Sequence, residues 1–267
     1  MDKARIPLIS IWILMYNNAA ELDGTVDSVV SQDYPNAEVI FSDDGSKVTD
    51  PDKVERLAEK VKSHGYAAKI FLNKENLGTV AHINSVIDRS DGKYFISCCP
   101  GERFHTAGTV SAIVEAMEKK KSLIMTSRRL DVYPDRVKKR PTLMLGFALR
   151  LCPRTLAGYM VRKRNLISGC CTFESRELFE KYGKYDTAYR LLEDYPYVVD
   201  LLRNGVRIDF MNCVTVEHAI GGVSTGNIHP AVIKDIEHMR EVLKADPHGL
   251  PESAVKYLDS ITADRSQ

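Results

Sequence analysis

The first part of the chain alternates unbroken apolar runs with stretches whose apolar residues recur at helical spacing. Leu8-Ile9-Ser10-Ile11-Trp12-Ile13-Leu14-Met15 is apolar but for one serine, the pattern of a parallel strand covered on both faces. Tyr16-Asn17-Asn18 ends it, and residues 20–32 place Leu22, Val26, Val29 and Val30 near helical spacing. Pro35-Asn36 predicts a turn, Glu38-Val39-Ile40-Phe41 a second strand, residues 51–63 a helix and residues 68–72 a third strand. Residues 79–89 read as a further helix and residues 93–98 as a fourth strand. Successive units of this kind predict an α/β fold: a mainly parallel sheet with helices on both faces. Such sheets bind ligands at the carboxyl ends of their strands. Tyr16-Asn17, Asp43-Asp44 and the segment from Cys99 to Glu102 should therefore share one rim.

The second half is less regular. Residues 128–164 hold eleven Lys or Arg against two acids, interleaved with the apolar stretch Leu143 to Leu151. Two readings stand: a solvated, partly helical insertion, or a basic amphipathic surface for anionic lipid or a diphosphate-bearing acceptor. Helices are expected near Ser175–Tyr182, from Leu191-Leu192-Glu193-Asp194 to Arg203, and over residues 230–245. Gly205 stops the second of these at the usual C-terminal position. A strand at Arg207–Asn212, a glycine-rich loop at Gly221–Gly226 and a polar, frayed tail from Asp246 complete the pattern.

Composition adds limits. At 267 residues and 44% hydrophobic content, one large α/β domain can bury a full core. A net charge of +1 gives no global attraction to nucleic acid. No 18-residue apolar stretch is free of charge, which argues against a membrane span. The start Met1-Asp2-Lys3-Ala4-Arg5 leads into a strand without a cleavable apolar segment, so no secretory signal is expected. The six cysteines include the adjacent pairs Cys98-Cys99 and Cys170-Cys171 and no CxxC spacing. Buried free thiols in a reducing cytoplasm is the reading that follows. No GxGxxG follows the first strand, so a dinucleotide-binding dehydrogenase is disfavoured.

Tyr16-Asn17 at a strand end, Ser28 to Pro35, Asp43-Asp44-Gly45-Ser46, Asn76-Leu77-Gly78 with Asn84, Gly169, Tyr182 to Asp186 and Glu193-Asp194 form an ordered set. Over residues 7–226 the chain resembles the family 2 inverting glycosyltransferases of GT-A fold. Leu14-Met15 replaces the usual Pro-Thr, and His82 stands where an arginine is common. The resemblance implies a nucleotide-sugar-binding half (1–127), the basic insertion (128–164), an acceptor-binding and catalytic half (165–245) and a tail (246–267). It implies a nucleotide-sugar donor, UDP foremost, and a glycan or lipid-linked acceptor in polysaccharide or glycolipid synthesis. Nucleic acid is not an expected partner. The thiols and the lack of a signal segment suggest a cytoplasmic location, and the basic stretch suggests peripheral contact at an anionic inner membrane face.

Roles follow residue by residue. The resemblance assigns the base contact to Asp43 or Asp44, with Tyr16 beside the ring; a carboxylate at a strand end can accept from the uracil N–H, and one aspartate of the pair is expected to be a turn-former. Asn17, Asn76 and Gly78 belong to the nucleotide loops. Asp194 is the candidate base for the acceptor hydroxyl and Glu193 its neighbour, although an acid at a helix start is also favoured by the helix dipole. Gly169 lets backbone approach the sugar or acceptor, or makes a tight turn.

The family's metal-binding Asp-x-Asp falls on Cys99 and Gly101, and only Glu102 keeps a carboxylate. Glu102 with His218 could hold manganese or magnesium; basic side chains such as Arg103 could replace the ion. A non-catalytic sugar-nucleotide-binding protein is the rival reading. If the Asp43-Asp44 end reads uracil, calorimetry should find UDP bound well above GDP or ADP, by roughly 1–3 kcal/mol. Equal affinities for the three would remove the uracil assignment.

Overall fold

The computed structural model describes residues 6–48, 50–219 and 229–263. Strands β1 (Ile9–Met15), β2 (Ala37–Asp43), β3 (Ala67–Leu72) and β4 (Tyr94–Ser97) are parallel in the order β3-β2-β1-β4. Helices α1 (Leu22–Val30), α2 (Pro51–Ser63) and α3 (Thr79–Arg89) connect them. Alternation along β1 sends Ile9, Ile11, Ile13 and Met15 to a core shared with α1 and α2, and Trp12 to the opposite core with α3. This two-sided burial explains why the first strand reads as an almost unbroken apolar run.

The rest of the chain extends the same sheet. After β5 (Glu102–Phe104), α4 (Thr109–Lys120) covers the α1–α2 side, and β6 (Ile124–Val132) pairs with the short β7 (Val137–Arg140). α5 (Leu143–Leu151) and α6 (Pro153–Arg162) follow, then β8 (Thr172–Ser175), α7 (Arg176–Tyr182) and α8 (Asp194–Arg203). β9 (Asp209–Ala219), α9 (Pro230–Ala245) and α10 (Glu252–Ala263) complete the described elements. The sheet continues from β4 as β8-β6-β9-β5. β8 runs antiparallel to β4 and β6, β6 parallel to β9, and β5 antiparallel to β9. The mainly parallel α/β sheet with helices on both faces is as expected.

Gln32 shows why the segment from Ser28 to Pro35 matters. Its amide donates to the carbonyls of Ser28 and Thr106 and accepts from the Val110 N–H, tying the end of α1 to the start of α4. Tyr34 donates to the Pro7 carbonyl.

Four expectations change. The boundary at 127/128 falls inside β6, so residues 128–132 belong to the sheet and the excursion begins only after it. The strand expected at Arg207–Asn212 is longer and runs to Ala219, because β6 and β5 both pair with it. The thiols are all free, yet Cys152, between α5 and α6, is exposed. The tail from Asp246 is ordered over its described residues, up to 263: α10 packs on α6 and α9 with Ala254 and Leu258 buried. Its apolar stripe is narrow among polar residues, so composition alone hides it. The glycine-rich loop at Gly221–Gly226 lies outside the described residues.

Leu258 is 1% exposed, so Leu258→Ala should destabilise the protein by about 2–5 kcal/mol through a cavity. Urea unfolding measures it; a loss within about 0.5 kcal/mol, as for a surface site, would mean the tail does not dock.

Candidate active site

Ends of β1, β2 and β4 meet at one rim. Asp44 donates its N–H to the Met15 carbonyl and Cys98 to that of Trp12, which brings Tyr16-Asn17, Asp43-Asp44 and Cys99 together as expected. Tyr16 is 44% exposed beside this rim. Asn17 has a left-handed backbone (φ 55); its N–H donates to Ser46 Oγ at 2.7 Å and its side chain accepts from Lys47 N–H at 2.9 Å.

The two aspartates do different work. Asp43 accepts from Ser46 N–H at 2.8 Å and Ser46 Oγ at 2.5 Å, closing the turn after β2. Asp44 accepts from the N–H groups of Leu77 (2.9 Å) and Gly78 (3.0 Å) and from the amides of Asn76 (2.9 Å) and Asn73 (3.4 Å). Asp43 is thus the turn-former of the pair, and Asp44 clamps the Asn76-Leu77-Gly78 loop against the strand end. Gly45 (φ +71) is required here, since a Cβ would strike the backbone of Glu75 and Asn76. Gly78 (φ +87) gives the same closeness to Arg190, whose guanidinium donates to Asn76 Oδ1 at 2.9 Å. His82 stacks no charge on this rim; it is buried, bonded to Ser42 Oγ at 2.7 Å, and burial lowers its pKa.

A second group lies around the turn at residues 168–171. Glu102 and His218 are direct partners in the β5–β9 register, with Oε1 3.3 Å from Nδ1. Cys170 Sγ joins them, the three ligand atoms lying within 4.8 Å of one another. Among the described residues both His218 ring nitrogens are buried without a hydrogen-bond partner, although the nearby Glu102 raises the ring's pKa. Such orphaned nitrogens beside a carboxylate fit a bound cation. Imidazole and thiol favour manganese or a softer ion over magnesium, which wants oxygen. Arg129, on β6, donates to Ser168 Oγ and reaches Cys170 Sγ at 3.5 Å. Arg103 does not serve the site: it alternates away from Glu102 along β5 and lies against Gly24 of α1. Burial pushes the Cys99 thiol up, so it is not a nucleophile at neutral pH.

On the other side of that turn stands the acidic pair. Gly169 N–H donates to Asp194 Oδ2 at 3.1 Å, and a methyl at Gly169 would touch Glu193 and Asp194. Gly169 is therefore both a turn residue and the wall of the acidic site. Burial pushes Asp194 up to about 6, against the hydrogen bonds from Gly169, Tyr195 and Asn165 that hold it down. Burial, then the charge on Asp194, pushes Glu193 to about 8. Glu174 on β8, bonded to the Tyr185 hydroxyl at 3.0 Å, is pushed by burial to about 8.

Four residues at these two groups escaped the sequence reading: Arg129, Cys170, Arg190 and Asp235. Asp235, buried on α9, accepts from the N–H groups of Arg190, Leu191 and Leu192 at 2.7–3.2 Å, so it fixes the loop that delivers Glu193-Asp194. Nothing in the pattern of residues 230–245 beyond a helical period singles it out.

Comparison with known proteins gives the family and the fold. The model of "Glycosyl transferase family 2" matches residues 10–183. The "Uncharacterized glycosyltransferase RP339" of Rickettsia prowazekii is 27% identical over 201 residues, 71% of this chain and 57% of that protein. This chain thus spans little more than half of that relative's length. Among solved structures, Staphylococcus aureus TarS 1–349 in complex with UDP-GlcNAc superposes with a TM-score of 0.69 at 15% identity, over 94% of this chain and 70% of that one. Mannosyltransferase PcManGT from Pyrobaculum calidifontis, in complex with GDP-Man and Mn2+, gives 0.63 at 18% identity, over 98% and 77%. At such identities these structures establish the GT-A-like fold.

The raised Glu174 sets a pH dependence. Its folded pKa, about 8, exceeds the ordinary 4.5, so its contribution is full below 4.5 and is lost as pH rises through 8. The expected slope is about 1.4 kcal/mol per pH unit in that window. Glu174→Gln should flatten the fall of melting temperature between those pH values while keeping the Tyr185 contact. An unchanged slope would contradict the burial argument.

Proposed function

This chain belongs to glycosyl transferase family 2, and on that premise we propose that it moves a sugar from a uridine diphosphate donor to an acceptor hydroxyl with inversion. One observation supports this above the others. A single turn has Asp194 on the N–H of Gly169 and, one residue on, Cys170 beside Glu102 and His218. A group able to take a proton and a group able to hold positive charge are thus neighbours, as sugar transfer demands.

Asp194, at about 6, is largely ionised at neutral pH and takes the acceptor's proton. The acceptor oxygen then bonds to the anomeric carbon while the bond to the diphosphate breaks, its electron pair leaving with the diphosphate. A single displacement inverts the centre. Glu193, at about 8, stays mostly protonated and acts as a neutral neighbour. Base recognition falls to the Asp43-Asp44 strand end with Tyr16 beside the ring, and Asn17, Asn76 and Gly78 shape the loops around it.

Glu102, His218 and Cys170 would hold a divalent cation, manganese in preference to magnesium, which supplies charge to the leaving diphosphate. Arg129 brings a fixed positive charge to the same place. Nucleotide sugars in the TarS and mannosyltransferase complexes, and Mn2+ in the latter, support donor class and metal. A lipid-linked or glycan acceptor of polysaccharide or glycolipid synthesis, met at the cytoplasmic face of a membrane, completes the reading. A non-catalytic nucleotide-sugar binder is the second reading, favoured by Cys99 and Gly101 in place of Asp-x-Asp.

Asp194→Asn keeps the side chain's shape but cannot take a proton. Transfer should fall roughly 10²–10⁴-fold with UDP affinity unchanged, and Glu193→Gln should lose less. Activity needs the ionised base, so in the wild type it should rise with pH through about 6. Radiolabelled transfer and donor hydrolysis, with manganese and with chelator, measure both. A fully active Asp194→Asn variant refutes the base assignment, and a wild type without turnover favours the binder.

A further inference from the structure

The excursion after β6 ends in a helix that hides only part of itself. Leu145 and Leu149 of α5 are buried, whereas Leu143, Met144, Phe147 and Leu151 are 46%, 71%, 61% and 74% exposed. Positions 143 or 144, 147 and 151 fall one turn apart, so these side chains form one outward stripe. Large apolar residues in a contiguous exposed patch mark a surface that meets an apolar phase.

Charge says which phase. Lys138 and Lys139 precede the helix, Arg150 lies within it, and Arg154, Lys163 and Arg164 follow, all exposed. The two acids of the segment are already engaged: Asp131 is buried against Arg129 and Arg140, and Asp135 pairs with Arg136. Among the described residues Lys139, Arg150, Arg154, Lys163 and Arg164 have no acidic oxygen within ion-pair reach. A symmetric contact with a second copy would set these cations against themselves. An anionic lipid surface meets both features, apolar stripe and basic flanks.

We propose that α5 is an interfacial docking helix that lays Met144, Phe147 and Leu151 into an anionic bilayer. At nine residues it lies on the membrane and does not cross it. It is joined to the base by a short path. α5 leads into α6, whose Met160 carbonyl accepts the Tyr195 hydroxyl, next to Asp194, and Asn165 just beyond α6 bonds Asp194. Docking would thereby hold the acceptor side of the site at the surface where lipid-linked acceptors reside. That last step rests on the proposed transfer to such acceptors; the docking face does not.

Sedimentation of the full chain with phosphatidylcholine vesicles, with and without phosphatidylglycerol, tests it. Binding should require the anionic lipid and weaken with salt. Phe147→Ser with Leu151→Ser should abolish it, and Arg150→Gln with Arg154→Gln should weaken it roughly 25-fold, about fivefold for each charge. UDP calorimetry on the same variants should be unchanged, which shows that they fold. No pelleting with either vesicle, or equal pelleting with both, overturns the proposal. So does a dimer in equilibrium sedimentation that the Phe147/Leu151 variant dissolves. Loss of UDP binding by the wild type would remove the donor reading and leave the docking result standing.

Discussion

Loops at the carboxyl ends of parallel strands carry backbone N–H groups that no neighbouring strand can satisfy, and buried ones cost free energy until something accepts them. Carboxylates accept them throughout this site. Asp43 takes Ser46, Asp44 takes Leu77 and Gly78, Glu102 takes Cys99 at 2.8 Å, Asp194 takes Gly169, and Asp235 takes three N–H groups in a row. Each acid fixes a loop in the act of being solvated by it. Because these loops carry the candidate site residues, the geometry of the site and the folding of its loops are one problem. A substitution that removes the accepting oxygen therefore touches both.

That arrangement concentrates negative charge. Burial does most to raise the proton affinity of Glu174, Glu193 and Asp194, and the charge on Asp194 adds to it at the two glutamates. The result is a graded set, with Asp194 lowest because hydrogen bonds from Gly169, Tyr195 and Asn165 and the charge on Arg129 hold it down. A diphosphate would bring further negative charge close by. Arg129, with Asp131 on its other side, and a cation among Glu102, Cys170 and His218 are the compensating groups within reach. If Cys99 and Gly101 stand where the family carries Asp-x-Asp, as the resemblance implies, a metal at the proposed site would find fewer hard oxygen donors and depend more on the imidazole and thiol.

Strands β1 to β4, helices α2 and α3 to the residue, and the start of α8 at the acidic pair are all legible in the chain. Strand and helix periods differ sharply in apolar segments buried on one or both faces, and Asp43-Asp44, Asn76 to Gly78, Gly169 and Glu193-Asp194 sit where those periods break. Residues 102–132 resist the same reading. β5 is three residues long, and β6 turns basic halfway because Arg129 points into a buried acidic site and not to solvent. α10 is held by few apolar contacts and reads as a tail.

The chain by itself determined which segments are strands and helices and which polar residues interrupt them, since local periodicity reports the face each residue must bury. Only the tertiary structure decided that Cys170, from one turn, meets Glu102 and His218, from two antiparallel strands, and that Arg129 stands beside them. It alone revealed Asp235 on a distant helix as the anchor of the loop before Asp194. Contacts between elements far apart in the chain depend on register and packing, which leave no period in the sequence to read.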